Sequence, residues 1–375
     1  MTPIASSNLP INSLQFIFYT ALIAHILLTF KVLVPFFRKK TGTYSGEKPP
    51  ISVIVCAHNE SENLRKLLPK LLFQNYPTFE VIVSLDRCTD DSKSYLQNLA
   101  DPRIHIIEIN TVPDGWNPKK YGLTQAIDQA QNEWLVFTDA DCQPTSVNWL
   151  EQYAKTINDQ TDLILGVGAY TEEPHLTSQL TNYETFQTAL HYNSAALRNK
   201  AYMGVGRNMA YRKSVFKKIK GFTPFENVTG GDDDLLVQKM TQPGNTQIIL
   251  GKESLTYSIP KRTWKGYLSQ KTRHLSVGKY YQPKAKRNHI IRSVVHITLW
   301  VSFLYLLFFF PSPTRIIVSF GLLVVVKGLF FKKISSKLGL PFQMAQFPLM
   351  DLVYAIFLPL LGVRANYVKS IRWKN

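Results

Sequence analysis

The stretch from Leu14 to Phe30, LQFIFYTALIAHILLTF, carries no formal charge and runs on past Lys31 to Phe37 before the basic cluster Arg38-Lys39-Lys40. The hydrocarbon core of a bilayer takes about 20 apolar residues of helix, so this run is long enough to cross one. A cleaved signal peptide has its positive charges ahead of the apolar run and small residues behind it. Here the order is reversed, and the segment reads as an anchor. Three more apolar stretches follow late in the chain, near Ile290 to Phe310, Arg315 to Phe331 and Phe347 to Leu361. The first two, separated by Pro311-Ser312-Pro313, read as a helical hairpin. The third is interrupted by Asp351 and Pro359, and reads as a span, a re-entrant segment or an interfacial helix.

The formal charge of +17 by itself suits nucleic acid or an anionic surface. Its distribution favours the surface. No acidic residue precedes Glu47, and after Glu253 the only one is Asp351, so the basic excess flanks the apolar runs. Lys and Arg gather on the cytoplasmic side of membrane proteins. Arg38 to Lys40 therefore put Met1 outside and the region from Gly46 onward in the cytoplasm of a multi-pass protein of the cell (inner) membrane. The basic tail at Arg364, Lys369, Arg372 and Lys374 also belongs inside. Both demands hold only if an odd number of the four segments span, and the last is the one expected not to be a simple span. Cys56, Cys88 and Cys142 show no metal-binding spacing and are expected as reduced thiols without a role.

With 375 residues the chain has room for a sizeable α/β core. After Pro49-Pro50, the apolar run Ile51 to Cys56 reads as a strand buried on both faces. Leu64, Leu67, Leu68, Leu71 and Leu72 then recur at helical spacing between Ser61 and Asn75. The alternation repeats: strand Glu80 to Leu85, helix Asp91 to Leu99, strand Arg103 to Ile109, helix Lys119 to Gln131, strand Trp134 to Thr138. Four strands alternating with helices imply right-handed crossovers and a mainly parallel sheet, with ligands beyond the carboxyl ends of the strands. Further on, strands are expected near Leu163 to Tyr170 and Gln247 to Leu250, with a long helix near Ser178 to Arg198. From Pro260 to Arg292 the chain holds ten basic and no acidic residues among several aromatics, and reads as lying along an anionic membrane face.

The expected strand ends are rich in acids: Glu60 after the first, Asp86 and Asp90 around the second, Asp139 and Asp141 after the fourth. Carboxylates gathered at one sheet edge repel one another unless something cationic joins them. Residues two apart in extended backbone face one side, so Asp139 and Asp141 can share a ligand. Hard divalent cations take carboxylate oxygens and complete their shell with substrate phosphates. The alternative for each motif is structural: solvated acids at a loop start for Asp139 and Asp141, a helix N-terminus for Asp232 to Asp234, a tight turn for Gly204 to Gly206.

The segments PPISVIVCAHNESENL, EVIVSLDRCTDDS, NEWLVFTDADCQP and GGDDDLL, followed by QKTRH, resemble in order and spacing the inverting glycosyltransferase family 2, whose fold is GT-A. The resemblance runs from about Pro49 to His274. It implies a GT-A domain over residues 46–260, between an anchor at 1–45 and a basic interfacial segment at 261–289, with a C-terminal transmembrane region at 290–375. By the same resemblance, Ala57, Asn59 and Glu60 contact the donor nucleotide, Asp86 reads its base and Lys119 belongs to the donor site. Asp139 and Asp141 match the metal and diphosphate motif for Mg2+ or Mn2+, with Asp141 the direct ligand. Asp233, with Asp232 next to it in an ambiguous register, matches the base that takes the acceptor's proton. Gly206 and Asn208 match an acceptor-side loop. Gln270, Arg273 and His274 match a Gln-x-x-Arg-Trp motif, with His274 in place of Trp, a departure that weakens any case for processive chain building. Gln270 and Arg273 would share one helix face, from which an arginine binds a diphosphate.

The implied partners are a nucleotide-sugar donor, a glycan or lipid-linked acceptor and the membrane, with no nucleic acid. Two other readings remain open from the sequence: a non-catalytic protein binding anionic lipid or nucleic acid, and a nucleotidyltransferase, which also uses paired carboxylates and a metal. His58 and His25 are read as structural, His25 through packing within the helix bundle.

Overall fold

The computed structural model describes residues 11–38 and 46–367. Lys39, Lys40, Lys369, Arg372 and Lys374, on which much of the expected orientation rests, lie outside the described residues.

Seven strands form the main sheet: β1 Ile51–Ala57, β2 Phe79–Asp86, β3 Ile104–Ile109, β4 Trp134–Asp139, β6 Leu163–Leu165, β8 Met209–Arg212 and β9 Thr246–Ile248. Their order is β3-β2-β1-β4-β8-β6-β9. β1 pairs in parallel with β2 on one side and β4 on the other, and only β8 runs against the rest. The strand order therefore reverses at the β1/β4 junction, where open α/β sheets bind their ligands. A small second sheet joins β5 Gln143–Pro144 and β7 Gly168–Tyr170 to β10 Thr256–Ser258. The expected strand from Leu163 to Tyr170 is thus two strands in two sheets, broken at Gly166 and Val167.

Helices cover both faces. Val53 and Val55 of β1 point into a core with α2 Ser61–Leu72, α3 Ser92–Leu99 and α5 Trp149–Ala154. Ile54 and Cys56, facing the other way, join a core with α4 Pro118–Gln129 and α6 Leu176–Ala196. Two short helices, α7 Lys213–Lys218 and α8 Asp234–Met240, follow β8, and α9 Trp264–Ser276 follows β10.

Among the described residues, four helices are long and apolar enough to cross a membrane, which fits membrane anchoring: α1 Ile11–Leu33, α10 Pro283–Phe309, α11 Thr314–Leu338 and α12 Phe347–Tyr367. α10 begins at Pro283, where proline's fixed φ and missing N–H suit a helix start. It therefore absorbs the end of the basic stretch expected as one interfacial segment. The rest of that stretch does not simply lie on a surface: Tyr267 and Lys271 of α9 are buried against α6, both bonded to Glu184. α12 is one continuous helix through Asp351 and Pro359, packed against α9, α6 and α10. Phe357 of α12 stacks on Tyr267, and Tyr354 meets Tyr183 of α6 edge-on. Phe186 of α6 packs on Phe331 of α11, so the lower core of the α/β domain continues into the apolar helices.

Candidate active site

The carboxyl ends of β1, β2 and β4 lie side by side, and the loops after β1 and β2 are knitted together there. Asn59, held at φ +52, accepts bonds from the Thr89 and Asp90 amides. Asp90 accepts from the Ser61 amide at the start of α2, and Glu60 accepts from Asn63. Ala57 is buried at the end of β1, and its carbonyl accepts from Cys88. Asp86 is inaccessible, and the Arg87 guanidinium sits on both of its oxygens at 2.8 and 3.1 Å.

On the far side of β4 the acids are joined by a lysine. Asn117 caps α4 and Pro118 opens it, which sets Lys119 in the first turn facing the sheet edge. Its ammonium lies 2.9 Å from Asp139 Oδ1 and 2.8 Å from Asp232 Oδ2. Burial alone would lower the Lys119 pKa, but the two carboxylates overcome that and hold it well above its ordinary value. The cation that the acid-rich strand ends call for is thus supplied in part by the protein.

Next to this bridge, Gly230 and Gly231 at φ +79 and +74 turn the chain so that Asp232 and Asp233 face the same space. Asp233 accepts from the Gly206 amide at 3.0 Å and from the Asp234 amide at 2.7 Å, where it also caps α8. The capping role expected as the alternative is real and coexists with a second face toward Gly206. The two carboxyls differ electrostatically. Asp232 is partly buried, which raises its pKa, but the Lys119 charge and hydrogen bond win and leave it below the ordinary aspartate range. Burial and the neighbouring Asp232 charge raise that of Asp233. Asp234 is buried and spent on the Tyr281 hydroxyl.

A cavity of about 760 Å³ opens from these groups. At one end it is lined by Lys119, Asp139, Asp232, Asp233, Arg207 and Arg273, with His274 and Gly206 beside them. It runs on between α6, α9, α10 and α12 to Leu28 and Val32 of α1 and Leu358 of α12. Gln270 stands behind this wall, 3.3 Å from the Tyr170 hydroxyl. Ala57, Asn59, Glu60, Asp86, Gln270 and Asp141 do not line the cavity, so the expected donor-site residues divide between two neighbouring regions.

One expectation is corrected. Asn208 is fully buried, accepting from Trp149 at 3.0 Å and Tyr153 at 2.6 Å and donating to the Val167 and Ser254 carbonyls at 2.7 Å. Both its donors and its acceptor are committed, so it ties β8 to its neighbours and cannot contact an acceptor.

Asp139, Asp141 and Cys142 can bring one ligand atom each within 4.8 Å of one another. Two carboxylates suit a hard divalent cation. Cys142 matches a hard cation less well, because sulfur is a soft ligand; burial, then the Asp141 and Asp139 charges, push its thiol well up, and it donates to Asp141 Oδ1 at 3.4 Å. Asp139 already serves Lys119, which leaves the exposed Asp141 the freer of the two.

Two residues of this region were not legible as functional. Arg207 sits over the Tyr170 ring and donates to the Gly168 carbonyl at 2.7 Å, with no ion pair among the described residues. Its position in the loop Gly204 to Ala210 was the available signal. Lys120 is fully buried and binds the Phe225 and Val228 carbonyls, anchoring the chain that leads to Gly230. Nothing local distinguishes it from Lys119.

Residues 52–220 match the family model "Glycosyl transferase family 2". The glycosyltransferase AglE of Haloferax volcanii is 28% identical over 187 residues, covering 49% of this chain and 59% of that protein. The GalNAc(5)-diNAcBac-PP-undecaprenol beta-1,3-glucosyltransferase of Campylobacter jejuni is 36% identical over 95 residues, covering 25% of this chain and 30% of that protein. The chain thus spans less than two thirds of the length of these relatives. Among solved structures, the mannosyltransferase PcManGT from Pyrobaculum calidifontis, in complex with GDP-Man and Mn2+, superposes with a TM-score of 0.61. It covers 95% of this chain and 99% of its own at 16% identity, a likeness of fold.

Proposed function

The chain belongs to glycosyltransferase family 2, and we propose that it moves a sugar from a nucleotide-diphosphate donor to a hydroxyl of a lipid-linked acceptor, with inversion at the anomeric carbon. The observation that carries this reading is the Lys119 bridge between Asp139 and Asp232, with Asp233 beside it in no ion pair among the described residues. The bridge fixes the sheet edge where a donor diphosphate belongs, and leaves one carboxyl basic enough to take a proton.

In this reaction Asp233 accepts the acceptor's hydroxyl proton as the oxygen attacks the anomeric carbon. The bond from that carbon to the diphosphate oxygen breaks on the opposite side, and the nucleoside diphosphate leaves with the electron pair. The Gly206 amide holds Asp233 in place. Asp232, kept ionised by Lys119, is the weaker base of the pair. Arg273 and Arg207 offset the charge that grows on the leaving diphosphate. Asp141, with Asp139, would hold Mg2+ or Mn2+, which lends further positive charge to the diphosphate when bound.

The lipid-linked acceptor is supported by the cavity reaching the apolar helices and by the PP-undecaprenol in the name of the Campylobacter relative. A cytoplasmic domain on a multi-pass membrane protein and a lipid-linked acceptor would suit a role in cell-envelope glycan or glycolipid synthesis, a reading supported by the four apolar helices.

The test is a pair of variants. Asp141→Asn is expected to abolish transfer and metal-dependent nucleotide binding. Asp233→Asn is expected to keep binding and lose turnover by roughly 10²–10⁴-fold, the usual scale of a general base. Full activity in both sinks the site. A product carrying the nucleotide itself would make the enzyme a nucleotidyltransferase instead.

A further inference from the structure

Where the cavity passes α10, Arg292 has no counter-charge among the described residues. Arg292 lines it half-buried, and its bonding partner is the ring of His191 on α6, at 2.9 Å. It makes no ion pair among the described residues, whereas Lys119 has two carboxylates and Lys271 has Glu184. His191 brings no compensating charge, since its burial and the adjacent guanidinium keep it neutral. The surroundings add positive charge: Arg198 lies near enough for Arg292 to lower its pKa, after the effect of burial, and Lys286 lines the same cavity. A half-buried guanidinium with no anion is costly, and its five donors suit a phosphate.

Its depth is also informative. α10 carries Lys284, Lys286, Arg287 and Arg292, and no formal charge from Ser293 to Phe309. Arg292 is therefore the last charge before the apolar run, at the level of lipid headgroups. Around it the cavity is ordered. Toward Asp233 the wall is aromatic, with Tyr202 and Tyr281 6.3 Å apart and the Tyr281 hydroxyl on Asp234. In the other direction lie Leu28, Val32, Ala355 and Leu358, together with His25, His296 and the Lys327–Asp351 pair, whose two charges offset each other. A carboxylate end, an aromatic wall, an unpaired cation and a largely apolar end follow one another as glycan, phosphate and chain do in a lipid-linked acceptor.

We infer that Arg292, with His191 and Lys286, forms the subsite for the phosphate ester of the acceptor lipid. This rests on the acceptor reading above, but its test does not depend on turnover. Full-length protein in nanodiscs is titrated with radiolabelled farnesyl phosphate, and nucleotide binding is measured on the same samples. Arg292→Gln is expected to weaken farnesyl phosphate at least tenfold with nucleotide binding unchanged, and Arg292→Lys to recover part of the loss. Farnesol should bind far more weakly than farnesyl phosphate, and neither inorganic phosphate nor phosphatidylglycerol should displace the probe at comparable concentration. Unchanged affinity in Arg292→Gln, or equal binding of farnesol, overturns the subsite. Equal displacement by inorganic phosphate overturns the lipid-linked ligand in favour of a free anion, and by phosphatidylglycerol in favour of bulk lipid. Should Arg292→Gln lose nucleotide binding as well, the unmodified protein decides: farnesyl phosphate but not farnesol should protect Arg292 from phenylglyoxal, and equal modification overturns the proposal. Loss of the donor-site reading alone, through active Asp141→Asn and Asp233→Asn variants, would leave these binding results standing.

Discussion

Asp232 and Asp233 are adjacent and chemically unlike, and the difference is one of partners. Lys119 pairs with Asp232 and holds its proton off, while Asp233 accepts from two amides, and burial and its negative neighbour outweigh the pull of Lys119. The sign of the pH effect follows. A base must be deprotonated, so kcat/KM falls as pH drops through the Asp233 pKa, which burial and Asp232 have raised. The acid limb of the rate profile is therefore expected above the ordinary aspartate value of about 3.9. Lys119, held above its usual range, should contribute no alkaline limb below about pH 10. A limb at or below the ordinary aspartate value would remove Asp233 from the role of base. Much of this cluster was legible beforehand, because acids at strand ends are a local pattern. The division of labour was not, since it depends on a lysine whose reach to Asp232 crosses more than a hundred residues of chain. Asn208 fails for the same reason: a polar side chain in a glycine-rich loop looks available until Trp149 and Tyr153 are found occupying it.

At the scale of elements, β1 to β4 with their helices follow directly from apolar runs and leucine spacing, and their observed ends differ from expectation by at most three residues, the most at the end of α2. The later elements do not, because short strands such as β6 and β7 are decided by which sheet they join rather than by their own pattern. α12 was ambiguous for a related reason: Asp351 interrupts it in sequence but is accommodated by groups from other helices. The turn before α8 shows how tightly an element's start fixes the site. Gly231 combines a left-handed φ of +74 with a side-chain position that would fall 2.8 Å from Leu235. Gly231→Ala must shift either the turn or α8, at a strain of about 1–3 kcal/mol, and carries Asp232 and Asp233 with it. At least a tenfold loss in kcat with nucleotide binding retained is expected. Wild-type kcat would show that the turn does not set the position of the base.

At the scale of the whole molecule, one carboxylate gathers groups from the α/β domain and from the apolar helices. Asp351 of α12 receives Lys327 of α11 at 2.8 and 3.0 Å, His296 and Trp300 of α10 at 2.9 and 3.3 Å, and Tyr183 of α6 at 2.8 Å. Lys327 reaches on to His25 of α1 at 3.1 Å, so the histidine read as a packing residue is part of this node. α6 belongs to the α/β domain and the others to the apolar helices, and the cavity passes directly beside them. The node therefore couples the chemistry's platform to the helices that fit membrane anchoring. Buried ion pairs of this kind add little net stability, but losing one partner strands the other, at about 3–5 kcal/mol. Lys327→Met leaves the carboxylate without its lysine, and Asp351→Asn leaves the ammonium without its anion. The double variant leaves neither, and the asparagine oxygen can still accept from Tyr183, His296 or Trp300. Each single change is expected to lower the unfolding midpoint of the detergent-solubilised protein and to loosen nucleotide binding, through loss of the α6 contact. The double variant should be less destabilised than the sum of the two, a coupling characteristic of charges that matter chiefly to each other. Strictly additive losses would mean that Lys327 and Asp351 act separately, and that the node does not join the domain to its helices.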